Sequence, residues 1–147
     1  MKTEIKKEIR ILGIDDSSFV FDNNKVMVIG VVYRGGSYID GFLSFYVKKD
    51  GKDATEKIID AVNKTKHKNQ LKVIMIDGVT LAGFNIVDIK KVYKKTEIPV
   101  IAVMEKPPEM KKFISALKKI NSNGEKILKK AGKIYQIKIK NNFLYIQ

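Results

Sequence analysis

Residues 71–78 read Leu-Lys-Val-Ile-Met-Ile-Asp-Gly, a compact apolar run that stops at the pair Asp77-Gly78. Runs of this length and composition are typical of buried parallel strands. A second apolar run, over residues 8–15, lies near the start of the chain and closes on Gly13-Ile14-Asp15-Asp16. These two runs predict neighbouring strands of one sheet.

Three strands and one helix are expected before residue 71. The strands cover residues 8–15, 25–33 and 39–48, and the segments Asp22-Asn23-Asn24 and Arg34-Gly35-Gly36-Ser37 between them are typical of hairpin turns, which predicts an antiparallel meander. Asp53 followed by Glu56 is similar to a capping box and predicts a helix over residues 54–66. That helix makes a crossover that returns the chain beside the first strand and parallel to it.

Helices and strands alternate in the second half of the chain. We expect a loop over residues 79–84, a helix capped by Asn85 and ending near Lys95, a strand over 96–103, a helix that opens at Pro107-Pro108, a break at 121–124, a short helix over 125–131, and a terminal hairpin of strands 134–139 and 143–146. The order predicts an α/β fold: a mixed sheet with three antiparallel strands, then alternating helices and strands. It fits a ribonuclease-H-like arrangement in a single domain over residues 1–147.

The charge of the chain is strongly positive. Its 147 residues contain 29 Lys and Arg against 16 Asp and Glu, a formal net charge of +13, and only Arg10 and Arg34 are arginines. One interpretation is a surface that attracts the phosphate backbone of nucleic acid. The other is that lysine fills solvent-facing positions, as in hyperthermophiles, and both interpretations stay open.

Composition also limits the chemistry and the location. The chain has no cysteine and a single histidine, His67, which excludes zinc-thiolate and His-rich metal sites and leaves oxygen ligands, suited to Mg²⁺, Mn²⁺ or Ca²⁺. Residues 1–10 lack the apolar core of a signal peptide, and no apolar run approaches the roughly 18 residues of a membrane span. We therefore expect a cytoplasmic protein with no membrane partner; the pattern predicts no particular oligomeric state.

The two strand ends carry the candidate chemistry. Asp15 and Asp77 are expected to project into one crevice at the carboxyl ends of neighbouring strands, where open sheets bind ligands. Two such carboxylates can hold Mg²⁺ for phosphoryl chemistry, with Asp16 as a further candidate ligand. Asp at a strand end is also a common turn former or helix cap, and that alternative stays open. Auxiliary candidates, each with a simpler structural explanation, are Asp40, Asp88 and Glu105.

Other residues are candidates for binding a substrate. Arg34, Gly35 and Gly36 would present donors to an anion, although Gly-Gly after a strand is first a turn signal. His67 would orient a phosphate or act as an acid or base, or else is a solvated loop residue. Gly78, Gly83 and Phe84 lie in the loop beside Asp77 and would approach a ligand closely. Aromatic residues that would stack on bases, or else pack against a core, are Tyr33, Tyr38, Phe42, Phe45 and Tyr46.

At these residues the chain resembles a known family. Residues 11–16, 31–36, the Asp40-Gly41 pair and above all residues 67–89 resemble the archaeal domain-of-unknown-function 99 (UPF0215) family, over about residues 9–103. This family is itself distantly similar to endonuclease V, a magnesium-dependent nuclease with a ribonuclease-H-like fold that acts on deaminated bases. The resemblance implies that Asp15 and Asp77 are metal-binding catalytic residues and that nucleic acid is the partner. Family members usually continue into another helical segment, so a C-terminus truncated relative to the family is expected.

The chain departs from the endonuclease V pattern in two places. Val47 stands where the resemblance places a catalytic glutamate, and residues 79–85 replace a His-Pro-Arg element. The hypothesis is therefore an endonuclease-V-like, nucleic-acid-binding protein that holds Mg²⁺ or Mn²⁺ and has weak or lost phosphodiester hydrolysis. Two alternatives remain: a non-catalytic basic binding or scaffold module, and an enzyme acting on a small phosphorylated ligand.

Overall fold

The computed structural model describes residues 6–19, 22, 24–121 and 123–147. The strands are β1 (Arg10–Asp16), β2 (Lys25–Arg34), β3 (Tyr38–Lys48), β4 (Leu71–Asp77), β5 (Thr80–Leu81), β6 (Asn85–Ile86), β7 (Val100–Met104), β8 (Tyr135–Ile139) and β9 (Asn142–Ile146). The α-helices are α1 (Ala54–Lys64), α2 (Ile89–Thr96), α3 (Met110–Ile120) and α4 (Gly124–Ala131), with one 3₁₀ turn at Lys68–Gln70. Asn23 of the first predicted turn and Ser122 of the predicted helix break lie outside the described residues.

Seven strands form one mixed sheet in the order β3-β2-β1-β4-β7-β9-β8, and β5 and β6 form a separate two-stranded ribbon. The first three strands pair antiparallel, with Asp15 opposite Ile29. β4 then pairs parallel with β1, and β7 parallel with β4, with Asp77 opposite Val103. The predicted α/β fold class, the antiparallel meander and the crossover by α1 are confirmed.

One side of the sheet forms the main core. Alternate strand residues point toward α1 and α2 and are fully buried with Ile58, Val62 and Val92 of those helices. Burying one such aliphatic side chain contributes about 1.5–3 kcal/mol, and successive strand residues face opposite sides. The opposite side presents Gly13, Asp15, Ile29, Met75 and Asp77, and we call it the open face.

The helices α3 and α4 form a smaller core beyond the carboxyl end of β4. Leu117 and Leu128 are buried there against Ile86, and the rings of Phe84 and Phe113 lie 5.4 Å apart.

The junction between α3 and α4 is closely packed around a glycine. A Cβ at Gly124 would lie 2.6 Å from Ile86 Cδ1 and 2.8 Å from Leu117 Cδ2. Gly124 therefore lets the backbone of α4 approach both the ribbon and α3, which is how the small core closes.

Asn85 was expected to cap α2 and does not. Its side chain is fully buried: Oδ1 accepts from the Ala54 N–H at 3.0 Å, and Nδ2 donates to the Lys48 carbonyl at 2.8 Å and to Asp53 Oδ1 at 2.7 Å. Asp88 caps α2 instead, accepting from the Lys91 N–H at 2.9 Å. The predicted capping box also fails, because Asp53 makes no side-chain bond to α1 and Asn85 satisfies the first amide of that helix.

Other boundaries shift for local reasons. The strand expected from residue 96 begins at Val100, because Thr96 still belongs to α2 and Glu97 adopts a left-handed conformation with φ 62°. The loop expected over residues 79–84 contains β5, and α3 begins at Met110, after the two prolines.

The predicted terminal hairpin is confirmed, and it also joins the main sheet. Val103 of β7 pairs with Ile146 of β9, and the backbones of Ala102 and Gln147 exchange two hydrogen bonds of 3.0 Å. In the part of the chain that the structure describes, no helix has the length and apolar character needed to cross a membrane.

Candidate active site

Asp15 and Asp77 lie side by side on the open face. The parallel register pairs Gly13 with Met75 and Ile14 with Ile76, and the next step along both strands brings Asp15 next to Asp77. Neighbouring strands are about 4.8 Å apart. Both carboxylates line one shallow cleft of about 480 Å³, so the juxtaposition that the sequence predicts is present.

The cleft is built from the central strands. Its lining comes from β1, β2, β4, β7 and β9 and from Glu105, the residue that follows β7. A Cβ at Gly13 would meet no atom within 4 Å, so the floor of the cleft is open at this position. Among its lining residues the charged ones are three carboxylates, Asp15, Asp77 and Glu105, which makes it an acidic cleft on a molecule of net charge +13.

The environment of Asp15 disfavours its ionised form. Burial raises the pKa of this carboxyl above its ordinary value, and the negative charges of Asp77 and Asp16 raise it further. The Asp16 N–H donates to Asp15 Oδ1 at 2.8 Å and opposes part of that increase in pKa. A cation between Asp15 and Asp77 would offset their repulsion.

Asp16 points elsewhere. Its Oδ2 accepts a hydrogen bond from the Ala82 N–H at 2.5 Å, and it does not line the cleft. Ala82 has a positive φ of 49°, a conformation that costs free energy for a residue other than glycine. Asp16 therefore holds the loop that follows β4 in place, and its predicted role as a metal ligand stays a prediction.

The loop after β4 separates its three candidate residues. Gly78 has φ 72° and donates to the Val103 carbonyl at 2.8 Å, which turns the chain sharply behind Asp77. Gly83 and Phe84 lie on the far side of the loop, where the Phe84 N–H donates to Asp50 Oδ1 at 2.9 Å. Gly83 packs directly on the same Asp50 carboxylate. Neither of these two residues lines the acidic cleft.

A partly open apolar cavity begins at Gly78. It has a volume of about 190 Å³ and lies between the end of β4 and helices α3 and α4. A cavity of about 150 Å³ accommodates benzene, so this one is large enough for a single six-membered ring. Residues that line it include Gly78, Thr80, Met104, Phe113 and Gln147.

The remaining substrate-binding candidates lie at the other end of the sheet. Arg34 pairs with Arg10, five residues before Asp15 on β1, which is a separation of about 17 Å along a strand. Gly35 and Gly36, with φ 61° and 72°, form the turn of the β2–β3 hairpin. His67 packs against Gly41 of β3 at that same end. The structure does not bring these residues to the carboxylate pair, because the connection between β2 and β3 falls at the opposite strand ends.

Of the auxiliary candidates, some also lie away from the acidic cleft. Asp40 pairs with Arg10 far from the cleft, and Asp88 caps α2. Val47, at the position of the expected catalytic glutamate, is buried in the main core at 1% exposure. Glu105 does reach the cleft. The sequence feature that indicates this position is its place just after the strand whose residue Val103 pairs with Asp77.

The family model described as Endonuclease dU matches residues 7–147. The chain belongs to the Endonuclease dU family. Among curated relatives, a UPF0215 protein of Methanosarcina mazei is 50% identical over 135 residues, which cover 90% of this chain and 68% of the relative. The predicted resemblance to the UPF0215 family is thereby confirmed.

The fold of this Endonuclease dU family member is similar to the folds of two kinds of solved structure, a relative of unknown function and endonuclease V. A protein of unknown function from Archaeoglobus fulgidus is 44% identical, with a TM-score of 0.85 over 95% of this chain and 78% of that one. Endonuclease V of Ciona intestinalis, in complex with DNA containing an inosine, is 14% identical, with a TM-score of 0.53 over 96% of this chain and 71% of that one. The second similarity shows the fold alone: ribonuclease-H-like, as in endonuclease V.

Proposed function

We propose that this protein is a divalent-metal-dependent endonuclease that binds DNA and hydrolyses a phosphodiester bond near a deaminated base, with Asp15 and Asp77 holding Mg²⁺ or Mn²⁺. The observation that carries the proposal is the pairing of these two carboxylates on adjacent parallel strands of an open cleft. The family description, Endonuclease dU, supports deoxyuridine as the nucleoside that is recognised. The inosine-containing DNA bound by the Ciona endonuclease V supports a deaminated base more generally.

The donor set of the cleft fits a hard cation. Oxygen ligands suit Mg²⁺ and Mn²⁺. Burial, and then the negative charge of Asp77, raise the pKa of Asp15, and a bound cation would offset this penalty on the ionised carboxylate. In the described ranges no group of three or more Asp, Glu or His side chains is close enough to hold an ion. Magnesium is usually bound by one or two carboxylates, with water and substrate oxygens completing the shell, and Asp15 with Asp77 matches that arrangement.

The residues of the cleft would have different roles in the reaction. A divalent ion would supply charge stabilisation for the phosphate and a lower pKa for the attacking water. Asp15 and Asp77 would hold that ion over the sheet, and the hydrogen bond from the Ala82 N–H to Asp16 fixes the loop beside them. Glu105 is exposed at the rim and would accept the proton of the attacking water.

Glu105 would also compensate for Val47. A carboxylate at position 47 would point into the apolar core, where a lone charge is costly. A third carboxylate in this chain therefore has to come from another strand. The end of β7 is the neighbour of β4 on the side away from β1, and it supplies one.

The cavity at Gly78 is a candidate pocket for the modified base. It is apolar, adjoins Asp77 through the chain and is large enough for one six-membered ring. Enzymes that act at a single base extrude it from the duplex into such a pocket.

The first test combines metal binding with cleavage. Mn²⁺ titrations by calorimetry, followed by cleavage assays on strands with deoxyuridine, inosine or only ordinary bases, are carried out on the wild type, Asp15→Asn, Asp77→Asn and Asp60→Asn. Asp60 is an exposed carboxylate of α1 paired with Lys64, so its variant is the matched control. We expect metal binding and metal-dependent cleavage in the wild type and the control, and loss of both in the other two variants.

A function in binding without cleavage is the second candidate, and the buried Val47 favours it. Metal binding without cleavage of any strand would identify a protein that has lost hydrolysis. If no metal binds with or without DNA, and DNA binding depends only on salt, the non-catalytic binding module replaces the proposal. Binding of a nucleotide without affinity for DNA would instead indicate an enzyme for a small phosphorylated ligand.

A further inference from the structure

Both arginines of the chain converge on one carboxylate at the end of β1 away from the acidic cleft. Arg10 Nε lies 2.6 Å from Asp40 Oδ2, and Arg34 Nε lies 3.4 Å from Asp40 Oδ1. The chain has 29 Lys and Arg, of which these two are the arginines. A general basic surface would not concentrate them at one carboxylate.

Two irregularities of strand pairing meet at this place. The register between β2 and β3 shifts after Val32, which leaves Asp40 as an extra residue in β3. The register between β1 and β4 shifts after Arg10, which leaves Lys72 as an extra residue in β4. Such bulges re-aim side chains and are over-represented next to functional sites.

The guanidinium groups retain donors for a ligand. One carboxylate shared by two arginines leaves a net positive charge, and within the described part of the chain no terminal Nη group of either arginine forms a hydrogen bond. Arg34 Nε is buried and has no aligned acceptor there. The Arg34 guanidinium carbon lies 5.5 Å from the centre of the Tyr38 ring, a contact that restrains its plane. Planar, restrained guanidinium groups match the oxygens of phosphate.

A concavity beside Arg34 gives a ligand access. Its volume is about 380 Å³, and its lining includes Lys7, Gly35, Ser37 and Tyr38. Lys7 adds a cation and Ser37 a hydroxyl donor, while Glu8 supplies the single acidic group of the lining.

We propose that Arg34 and Lys7 form a binding site for a phosphate group, with Asp40, which also pairs with Arg10, holding the Arg34 guanidinium in place. The site lies about 17 Å along β1 from Asp15 and is independent of the proposed cleavage. A free phosphate and a phosphodiester of nucleic acid present the same oxygens, and the experiment separates these two sources.

The first arm titrates metal-free protein with inorganic phosphate at constant ionic strength, followed by calorimetry. The variants are Arg34→Ala, Arg34→Lys, which keeps the charge but loses the planar fork, and Lys94→Ala, which removes one exposed charge from α2. We expect phosphate affinity to fall at least about tenfold in Arg34→Lys and to be lost in Arg34→Ala. The Lys94→Ala control keeps the wild-type affinity. Circular dichroism checks folding, and Arg34→Lys carries the test if Arg34→Ala does not fold.

The second arm measures oligonucleotide binding against salt concentration. A salt slope reduced by about 0.7–0.9 in Arg34→Ala, which removes the charge, corresponds to one lost backbone contact and identifies a phosphodiester as the ligand. An unchanged slope with weakened phosphate binding identifies a free phosphate. The proposal is overturned if the wild type binds no phosphate, or if Arg34→Lys and Lys94→Ala bind it equally. Because neither arm needs metal or cleavage, this failure is distinct from failure of the proposed endonuclease.

Discussion

The position of the Asp15 carboxylate in the acidic cleft lowers the stability of the folded protein. Its ionised form is disfavoured by burial and by the neighbouring charges of Asp77 and Asp16. A carboxyl whose pKa is raised on folding stabilises the native state below its unfolded pKa and loses that contribution as the pH rises through its folded pKa. At neutral pH, without metal, Asp15 therefore weakens the fold.

We predict that Asp15→Asn raises the free energy of unfolding of the metal-free protein at neutral pH. The gain should stay below about 1 kcal/mol, because the side chain is largely exposed to solvent, and it should shrink as the pH is lowered through the folded pKa. Thermal unfolding at a series of pH values measures it. Asp60→Asn, at an exposed carboxylate on α1, should show no such gain; an equal gain there would contradict this explanation.

Asn85 is a second residue whose role depends on burial. It satisfies the first amide of α1 and the carbonyl that ends β3. We predict that Asn85→Ala lowers the free energy of unfolding by about 1–3 kcal/mol, since it leaves buried polar groups unpaired. Urea titration of the variant measures this loss. Asn63→Ala, at an exposed position with one long bond to the Lys95 carbonyl, is the control and should change stability far less.

Among the elements, α3 and α4 pack around a small core of their own, although Ala131 of α4 also packs against the main core. Their core of Leu117, Leu128 and Ile86 is distinct from the main core. We predict that Leu117→Ala costs about 2–5 kcal/mol in this small core and speeds hydrogen exchange in α3 and α4 before β1 and β4. Ile120→Ala, at a residue 43% exposed on α3, is the control. Equal acceleration in the central strands would show that the two cores unfold together.

The same two helices complete the apolar cavity at Gly78, so their loosening reaches the candidate site. Phe113 of α3 lines the cavity and packs on Phe84 of the loop after β4. In the proposed function, Leu117→Ala would therefore weaken discrimination between strands with and without a deaminated base. It would leave Mn²⁺ binding at Asp15 and Asp77 unchanged, and calorimetry with paired cleavage assays separates these two effects.

At the scale of the whole molecule, an acidic cleft lies on a strongly basic protein. We predict that DNA binding without metal weakens at least about tenfold between roughly 50 and 200 mM salt, the loss expected for about two neutralised phosphates. Asp77→Asn should bind DNA more tightly than the wild type under these conditions, because it removes a negative charge that faces the backbone. Fluorescence anisotropy measures both effects, and salt-independent affinity would contradict the electrostatic explanation.

Sequence patterns predicted which helices and strands form more accurately than they predicted the residues at which these elements begin and end. The apolar runs around Ile14 and Ile76 identified the central strands, because an apolar run of strand length that is bounded by turn residues is a local signal. The cap at Asn85 was wrong, because its competitor Asp88 and its buried partners in α1 and β3 are decided by packing. The attachment of β9 to β7 was also not predicted, since a short terminal strand carries no signal for its neighbour.

The sequence by itself predicted the mixed sheet, the crossover of α1 and the meeting of Asp15 with Asp77, because alternation and strand length are local signals and a helical crossover returns the chain parallel to an earlier strand. Only the tertiary structure decided that Glu105 reaches the cleft while Val47 lies in the core. It also decided that Arg34 and His67 lie at the other end of the sheet. The face on which a residue lies, and the strand end it meets, depend on register and strand order, which distant parts of the chain fix together.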